Sequence, residues 1–453
     1  MVNDLYPLTG ISLFFIGVSS NKNKTGFCNF STVSAKEPYI PDTENFRLSD
    51  VSDDFLFWFS GFTDAEGNFL ITLDRNFIKF RFKIALHIDD IDVLNTIRSK
   101  LKIGRVTAEG SRDRCAFIVE KYEDIKNVIC PLFKTFPLHT SKKLDFVDFY
   151  KAVLIKDHIK KDLSDSEREK ILAIKNGMNA KREIFTYELS NSQIIINPNW
   201  FTGFLEGEGT FGIKTGSSLY LQVAQKNDSQ ECLNAIVTFL TRLSGSNLQN
   251  SKILPLNVVS TVNKRTNVVS LVVSSVDSLY YYVLPYLEST KMYSRKAIDF
   301  KLWKVALLLK IQGYFFLPRG EGKKLFLDIS EIINKRYSTK STSNLNDIIE
   351  GIFERYKLIL AKDPPFDVEL NIPHVDNVRA FSIANRSEKP NTIYLYADGN
   401  LVEGSPFASY SATHKWLGLK NTSNTCNRYI DTNRLYKNKY LISSRPLGSL
   451  SKG

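Results

Sequence analysis

Cysteine is scarce in this 453-residue chain, and its placement excludes two kinds of site. The five cysteines are an odd number and form no CxxC pair, so neither a disulfide framework nor a zinc site is indicated. The five histidines show no metal-ligand spacing either. We expect buried free thiols at Cys28, Cys115, Cys130, Cys232 and Cys426.

The chain also lacks long apolar runs, and its acidic residues are fewer than its basic residues. The apolar run Ile11–Val18 is too short to cross a bilayer, and no basic region precedes it as in a secretory signal, so no membrane span is expected. Asp and Glu total 48 against 60 Lys and Arg, which gives a net charge of +12 and a pI near 9.2. This excess favours a polyanionic partner, either nucleic acid or an anionic membrane surface.

One aromatic, glycine-rich stretch occurs twice, as WFSGFTDAEGNF at Trp58–Phe69 and WFTGFLEGEGTF at Trp200–Phe211. Copies this far apart indicate two halves of a duplicated fold rather than a solenoid. The acids inside both copies argue against a membrane helix pair, which the glycine spacing alone would allow. Small residues four positions apart let two helix backbones approach closely, and they are Gly61, Ala65, Gly203 and Gly207.

Glu66 and Glu208 fall at the ends of the two helices that this spacing predicts. If the helices pack on each other, two carboxylates meet where two negative helix-dipole ends also meet. A cation between them would relieve the repulsion, and Mg²⁺, with its preference for oxygen ligands, fits that need. Gly67 and Gly209 suit the left-handed conformation that often follows a helix.

The motifs FSGFTDAEG (Phe59–Gly67) and FTGFLEGEG (Phe201–Gly209) resemble those of the LAGLIDADG homing endonucleases in their single-chain, two-repeat form. The resemblance covers roughly residues 51–340. It implies an α+β fold of two pseudo-symmetric repeats, with antiparallel saddle sheets and the motif helices at the interface. It also implies that Glu66 and Glu208 are the catalytic, metal-binding carboxylates, although both are Glu where the family name has Asp.

A second pair of matching segments carries a basic residue in each half. SKKLDF begins at Ser141 and SRKAIDF at Ser294, which aligns Lys142 with Lys296. The resemblance implies that a basic residue here lies near the cleavage site and helps to polarise water or stabilise the phosphate. Lys142 and Lys296 are therefore predicted to contribute to catalysis.

The segment Phe77–Leu86 alternates strictly between cations and apolar residues, which predicts a half-buried strand. Its basic face can meet phosphates or base edges, although a solvated sheet face is the alternative. The predicted second sheet is less basic, and its side chains would read bases. The predicted nucleic-acid contacts of the two sheets are Lys79, Arg81, Lys83, Gln222, Gln225 and Lys226.

A separate unit is predicted near the C-terminus. Ile393–Val402 indicates a hairpin, and Ser411–Leu417 and Thr422–Ile430 indicate two short helices at helix-turn-helix spacing. Ser409–Tyr440 resembles a small modular DNA-binding domain found beside homing nucleases, although a structural appendage remains the alternative. The base readers that this second resemblance implies are Thr422, Ser423, Asn424, Asn427 and Arg428.

The predicted organisation is a flexible extension (1–50), two repeats (51–178 and 179–362), a linker (363–390) and the helix-turn-helix module (391–445). The predicted function is Mg²⁺-dependent double-strand cleavage of duplex DNA at an intron insertion site, by a monomer acting on an asymmetric target. Two alternatives remain, an RNA-binding maturase that helps its host intron to splice and a DNA-binding regulator with a dead site. A mitochondrial location rests on the family resemblance alone.

Overall fold

The computed structural model describes residues 47–447, except 75–76, 110–111, 159–163, 186–192, 215–217, 246–255, 318–319, 336–344, 370–371, 375–391 and 421–422. Almost all of the predicted N-terminal extension therefore lies outside the described residues, as does much of the predicted linker. The predicted domain boundaries stay predictions.

The first repeat is a four-stranded antiparallel sheet covered on one side by helices, with the strand order β1-β2-β4-β3. A π-helical turn at Ile125–Ile129 joins two of its short helices. In chain order, its elements are α1 (Asp53–Glu66), β1 (Gly67–Asp74), β2 (Phe77–His87), α2 (Ile91–Leu101), β3 (Arg105–Glu109), β4 (Arg114–Val119), α3 (Tyr122–Asp124), α4 (Cys130–Thr135), α5 (Lys142–His158) and α6 (Asp165–Asn176).

The second repeat has the same order of elements, with the sheet order β5-β6-β8-β7 and a π-helical turn at Leu279–Val283. One additional helix follows it. Its elements are α7 (Pro198–Glu208), β5 (Gly209–Ile213), β6 (Leu219–Lys226), α8 (Gln230–Thr241), β7 (Val259–Asn263), β8 (Val268–Val273), α9 (Val276–Ser278), α10 (Leu284–Ser289), α11 (Lys296–Ile311), α12 (Glu321–Ile332) and α13 (Leu345–Leu360). The predicted α+β fold of two pseudo-symmetric repeats is confirmed.

The two motif helices, α1 and α7, run directly into strands β1 and β5. Neither strand is predicted from the sequence, because the first residues of each still belong to the repeated motif. Gly67 pairs with Ile84 and Gly209 with Val223, so each motif helix leads into an edge strand of its own sheet.

The expectation that Gly67 and Gly209 adopt a left-handed conformation is wrong. Both are extended, with φ −73° and −86°, and start their strands. Glycine is needed here for space, because a Cβ on Gly67 would lie 2.8 Å from the Thr63 carbonyl oxygen. On Gly209 it would lie 2.5 Å from the carbonyl oxygen of Leu205.

Alternation in the strands decides which face of each sheet is buried. In β2, Phe80, Phe82 and Ile84 are at most 3% exposed and pack with α1 and the other helices in the core of the first repeat. Leu221 and Val223 of β6 do the same in the second repeat. Within the part of the chain that the structure describes, the opposite face of each sheet carries no helix, as the alternating pattern predicts.

The C-terminal module contains β11 (Tyr394–Ala397), β12 (Asn400–Leu401), α14 (Tyr410–Trp416), α15 (Thr425–Tyr429) and β13 (Tyr440–Ser443), preceded by β9 (Phe366–Asp367) and β10 (Ile372–Pro373). The predicted hairpin is present as β11 and β12, and β13 completes a three-stranded sheet. None of the described helices is both long and apolar enough for a transmembrane span. Cys28 lies outside the described residues, and the described cysteines are buried free thiols.

Candidate active site

The two motif helices touch through their backbones. A Cβ added to Gly61 would lie 2.7 Å from the carbonyl carbon of Trp200 and even closer to its oxygen. A Cβ on Gly203 would meet Trp58 in the same way and lie 2.9 Å from the Phe62 nitrogen. The packing predicted for Gly61 and Gly203 is therefore present in the structure, and any larger residue would force the two helices apart.

Glu66 and Glu208, the predicted catalytic carboxylates, end the two helices side by side. A Cβ on Gly207 would collide with Ala65 and lie 3.3 Å from Oε1 of Glu66, so the Glu66 side chain lies against the last turn of α7. Burial, and then the negative charge of Glu66, raises the pKa of Glu208. The structure thus brings together two acids at two negative helix ends, as predicted.

Lys142 and Lys296 begin α5 and α11, and both point towards the ends of the motif helices. Nζ of Lys142 donates a hydrogen bond to the Ala65 carbonyl oxygen at 3.2 Å, and Nζ of Lys296 donates to the Gly209 carbonyl oxygen. Burial lowers the pKa of both lysines, and nearby carboxylates partly oppose this effect. Two carboxylates and two ammonium groups therefore converge at one place.

A cleft of about 650 Å³ opens beside Glu66 and Lys296. Its walls come from both repeats, because the turn between β3 and β4 contributes Arg112 and the start of β4 contributes Arg114, while Arg295 comes from the start of α11. Guanidinium groups are well suited to phosphate oxygens. The cleft thus combines acidic groups with groups that attract an anion.

A family model described as LAGLIDADG endonuclease matches residues 59–153 and 201–307, which contain both motifs and both lysines. The chain belongs to the LAGLIDADG endonuclease family. The prediction of family and fold made from the repeated motif is confirmed, as is the prediction that the chain is a DNA endonuclease.

Curated relatives and a solved structure support this membership. The uncharacterized mitochondrial protein RF1 of Saccharomyces cerevisiae is 25% identical over 407 residues, which cover 86% of this chain and 82% of the relative. The probable intron-encoded endonuclease Cox1-I1b of Schizosaccharomyces pombe is 28% identical, over 56% of this chain and 64% of its own length. The LAGLIDADG homing endonuclease I-GzeII, solved in complex with its DNA target, is 26% identical with a TM-score of 0.52, covering 63% of this chain and 99% of that chain.

The predicted basic face of the first LAGLIDADG sheet lies on the side without helices. Lys79 and Arg81 are exposed there and Lys83 is half-buried. Arg81 is not surrounded by cations alone, because Nε donates to Glu120 Oε1 at 2.5 Å and Glu120 also pairs with Arg105. Glu120 follows β4, so the sequence of β2 by itself could not reveal this acid.

In the second sheet, the predicted readers Gln222 and Gln225 have different surroundings. They are three residues apart in β6, so they project to opposite faces, and only Gln222 lies on the face without helices. Gln225 Nε2 donates to Glu208 Oε1 at 3.2 Å, which places Gln225 beside this carboxylate and away from the face without helices. The structure therefore separates the two glutamines, and their roles as base readers stay predictions. Lys226 is exposed at the end of the strand.

The helix-turn-helix prediction is only partly met. Helix α15 begins at Thr425, so Ser423 and Asn424 lie before it, and Thr422 lies outside the described residues. Asn427 and Arg428 are on the helix. The predicted position of Ser423 and Asn424 on the second helix is wrong because the helix starts later than its sequence pattern suggests.

Contacts with α12 hold the C-terminal module against the second repeat. Arg428 pairs with Glu331 at 3.2 Å, and Arg434 pairs with Asp328 and, at 3.5 Å, with Glu331. The buried Lys323 of α12 donates to the carbonyl oxygen of Ile430. Burial lowers the pKa of Lys323 to about 8. Arg428 therefore contacts protein, and its predicted role as a base reader stays a prediction.

Sequence reasoning missed two acids within the motifs. Asp64 and Glu206 are only 1% and 4% exposed, and each accepts a hydrogen bond from a tryptophan of the other repeat. A signal was available, because in each copy the tryptophan precedes the acid by the same interval. That regularity marks a shared environment but does not say which helix supplies the partner.

Proposed function

We propose that this chain is a site-specific homing endonuclease that makes a metal-dependent double-strand break in DNA at an intron insertion site. The observation that carries the proposal is the convergence of Glu66, Glu208, Lys142 and Lys296 at the junction of two antiparallel sheets. The intron-encoded relative in Schizosaccharomyces pombe and the DNA complex of I-GzeII support the same substrate class.

The donor groups suit a hard divalent cation such as Mg²⁺. Glu66 and Glu208 offer carboxylate oxygens, and the raised pKa of Glu208 reflects burial and like charge that a cation would relieve. Among the described residues, no cluster of three or more His, Cys, Asp and Glu side chains could enclose a metal. A cation held by these two acids would keep several waters or take DNA oxygens, a habit typical of Mg²⁺.

Bound Mg²⁺ would supply Lewis-acid stabilisation of the phosphate undergoing hydrolysis. The protein side chains would do the rest. Glu66 and Glu208 would each serve mainly one DNA strand, because they end helices that belong to different repeats. Lys142 and Lys296, held by carbonyl oxygens beside the acids, would place positive charge where negative charge grows on the phosphate.

The substrate would lie across the faces of the two sheets that carry no helices. Lys79, Arg81 and Lys83 would contact phosphates or base edges from the first sheet, and Gln222 and Lys226 would do so from the second. Because both repeats belong to one chain and carry different side chains, we propose a monomer with an asymmetric target. We also propose a mitochondrial location, since the relative in Saccharomyces cerevisiae is described as mitochondrial.

The test uses intron-free DNA of the gene that carries this reading frame, incubated with the protein and Mg²⁺. The wild-type protein should make one specific cut, whereas Glu66→Gln and Glu208→Gln should lose double-strand cleavage. Both variants should keep DNA affinity within a few-fold, because affinity comes mainly from basic contacts. Glu231→Gln, at an exposed position of α8, is the matched control and should cut normally.

Full double-strand cleavage by either motif variant would refute the metal-ligand roles. Specific binding of the intron RNA with no cut in the DNA would favour the splicing function instead.

A further inference from the structure

Asp64 forms a compact hydrogen-bond network at the start of α5. It accepts bonds from the backbone nitrogens of His139 and Thr140 at 2.7 and 3.1 Å, and from the Thr140 hydroxyl at 2.5 Å. The Thr140 hydroxyl in turn accepts a bond from the backbone nitrogen of Lys142 at 3.2 Å. One further donor comes from the other repeat, because Nε1 of Trp200 lies 3.0 Å from Asp64 Oδ2.

Glu206 repeats this arrangement at the start of α11. It accepts bonds from the backbone nitrogens of Tyr293 and Ser294 at 3.0 and 2.5 Å. The Ser294 hydroxyl accepts a bond from the backbone nitrogen of Lys296 at 3.3 Å. Here too the remaining donor crosses the interface, because Nε1 of Trp58 lies 2.6 Å from Glu206 Oε1.

Both networks require a carboxylate, because their nearest partners are donors. Burial raises the pKa of Asp64 and of Glu206, and the hydrogen bonds to each acid oppose that shift. Loss of one donor from a buried carboxylate leaves an acceptor unsatisfied in surroundings that water does not reach. The remaining donors are the segments that lead into α5 and α11, so these segments would move when the tryptophan bond is lost.

We infer that Trp200 and Trp58 are positioning residues that act across the interface: Trp200, through Asp64, places Lys142, and Trp58, through Glu206, places Lys296. Each repeat thus holds the lysine of the other repeat in place. The inference rests on the proposed nuclease function and concerns residues that this function does not otherwise use. It explains why the indole groups cross over instead of bonding within their own repeat.

The alternative is that these bonds only hold the core together. A general loss of stability would slow the cleavage of both DNA strands to the same extent. A positioning role predicts a different result, because each lysine would serve mainly one strand. Loss of one indole N–H should then slow one strand and spare the other.

The experiment measures nicking of each strand separately, on a target duplex with a different fluorophore on each strand, resolved on a denaturing gel. Lys142→Met and Lys296→Met first identify which strand depends on which lysine. Trp200→Phe should then slow the strand that depends on Lys142 by about tenfold, the factor expected for one hydrogen bond to a charged group. Trp58→Phe should slow the other strand by a similar factor.

The phenylalanine variants keep an aromatic ring in the core and remove only the indole nitrogen and part of the ring. Trp303 supplies a matched control, because it is fully buried in α11 and its indole nitrogen has no hydrogen-bond partner among the described residues. Trp303→Phe should therefore change the packing without changing the ratio of the two nicking rates. The melting temperature of each variant shows whether a slower rate reflects unfolding.

Equal slowing of both strands by Trp200→Phe, or slowing of the strand that depends on Lys296, would overturn the inference. Lysine variants without any strand preference would overturn it as well. If the wild-type protein does not cleave DNA, the proposed function fails and this inference fails with it. If the wild-type protein cleaves but the variants lack the expected strand preference, only this inference fails.

Discussion

Replacement of Gly203 by alanine tests the backbone contact between the motif helices. The new Cβ would lie 2.9 Å from both the Phe62 nitrogen and the Trp58 carbonyl carbon, and closer to the Trp58 oxygen. These are backbone atoms of α1 and cannot rotate away, so the upper part of the usual overpacking range of about 1–3 kcal/mol applies. Alanine recovers about 1 kcal/mol in helix propensity, which leaves a net destabilisation of roughly 2 kcal/mol.

Gly351 gives the matched control for this substitution. It lies exposed within α13, and a Cβ there would meet nothing within 4 Å. Gly351→Ala should therefore stabilise the protein by about 1 kcal/mol through helix propensity alone. Urea unfolding would measure both variants, and strand cleavage would show whether separation of the helices also impairs catalysis.

The two glycine variants should change stability in opposite directions. Gly203→Ala should also cut more slowly, because it moves Glu208 away from Glu66. If Gly203→Ala unfolds at the same urea concentration as the wild-type protein and cuts at the same rate, the helices do not touch at their backbones and the reasoning is wrong.

Further expected outcomes concern the pH profile and the C-terminal module. Gln225→Leu removes a hydrogen bond that favours the ionised form of Glu208. The pKa of Glu208 should therefore rise, and the acid limb of the pH profile of cleavage should move to higher pH. The control variant Gln222→Leu should leave this acid limb in place. If Gln225→Leu does not move the acid limb, the hydrogen bond between Gln225 and Glu208 is contradicted. Arg434→Ala should speed amide hydrogen exchange in α14 and α15 but not in α1, because it removes an ion pair that holds the C-terminal module to α12. Unchanged exchange would mean that other contacts are enough to hold the module in place. A protein that ends near Ser387 should still cut DNA but protect a shorter stretch of it. The slope of its log affinity against log salt concentration should fall by roughly 0.9 for each phosphate that the shortened protein no longer binds. An unchanged footprint and slope would mean that the C-terminal module does not bind DNA.

The parts of the site that sequence reasoning predicted are those fixed by short-range pattern and repetition. Gly61 and Gly203 mark a close helix contact because each is paired with a small residue four positions later, in copies that otherwise share aromatic residues. The positions of Lys142 and Lys296 followed from a second repeated segment. Repetition supplied a comparison that a single copy would not have offered.

The missed features depend on partners that lie far away in the sequence. Asp64 resembles any acid at the end of a helix until the fold brings Trp200 to it. Glu120 reaches Arg81 only through the register of β2 and β4, which neither strand specifies alone. The position of Gln225 could have been better predicted, because residues three apart on a strand face opposite sides.

The backbone contact between the motif helices also constrains how this nuclease can diversify. If the chain cuts as proposed, the separation of the two scissile phosphates follows from the distance between α1 and α7, and that distance is limited by main-chain atoms at Gly61 and Gly203. Side chains such as Lys79 and Gln222 project from the sheets and can be replaced without altering that distance. We therefore expect descendants of this chain to acquire new target sequences while the length of the single-stranded ends they produce stays constant.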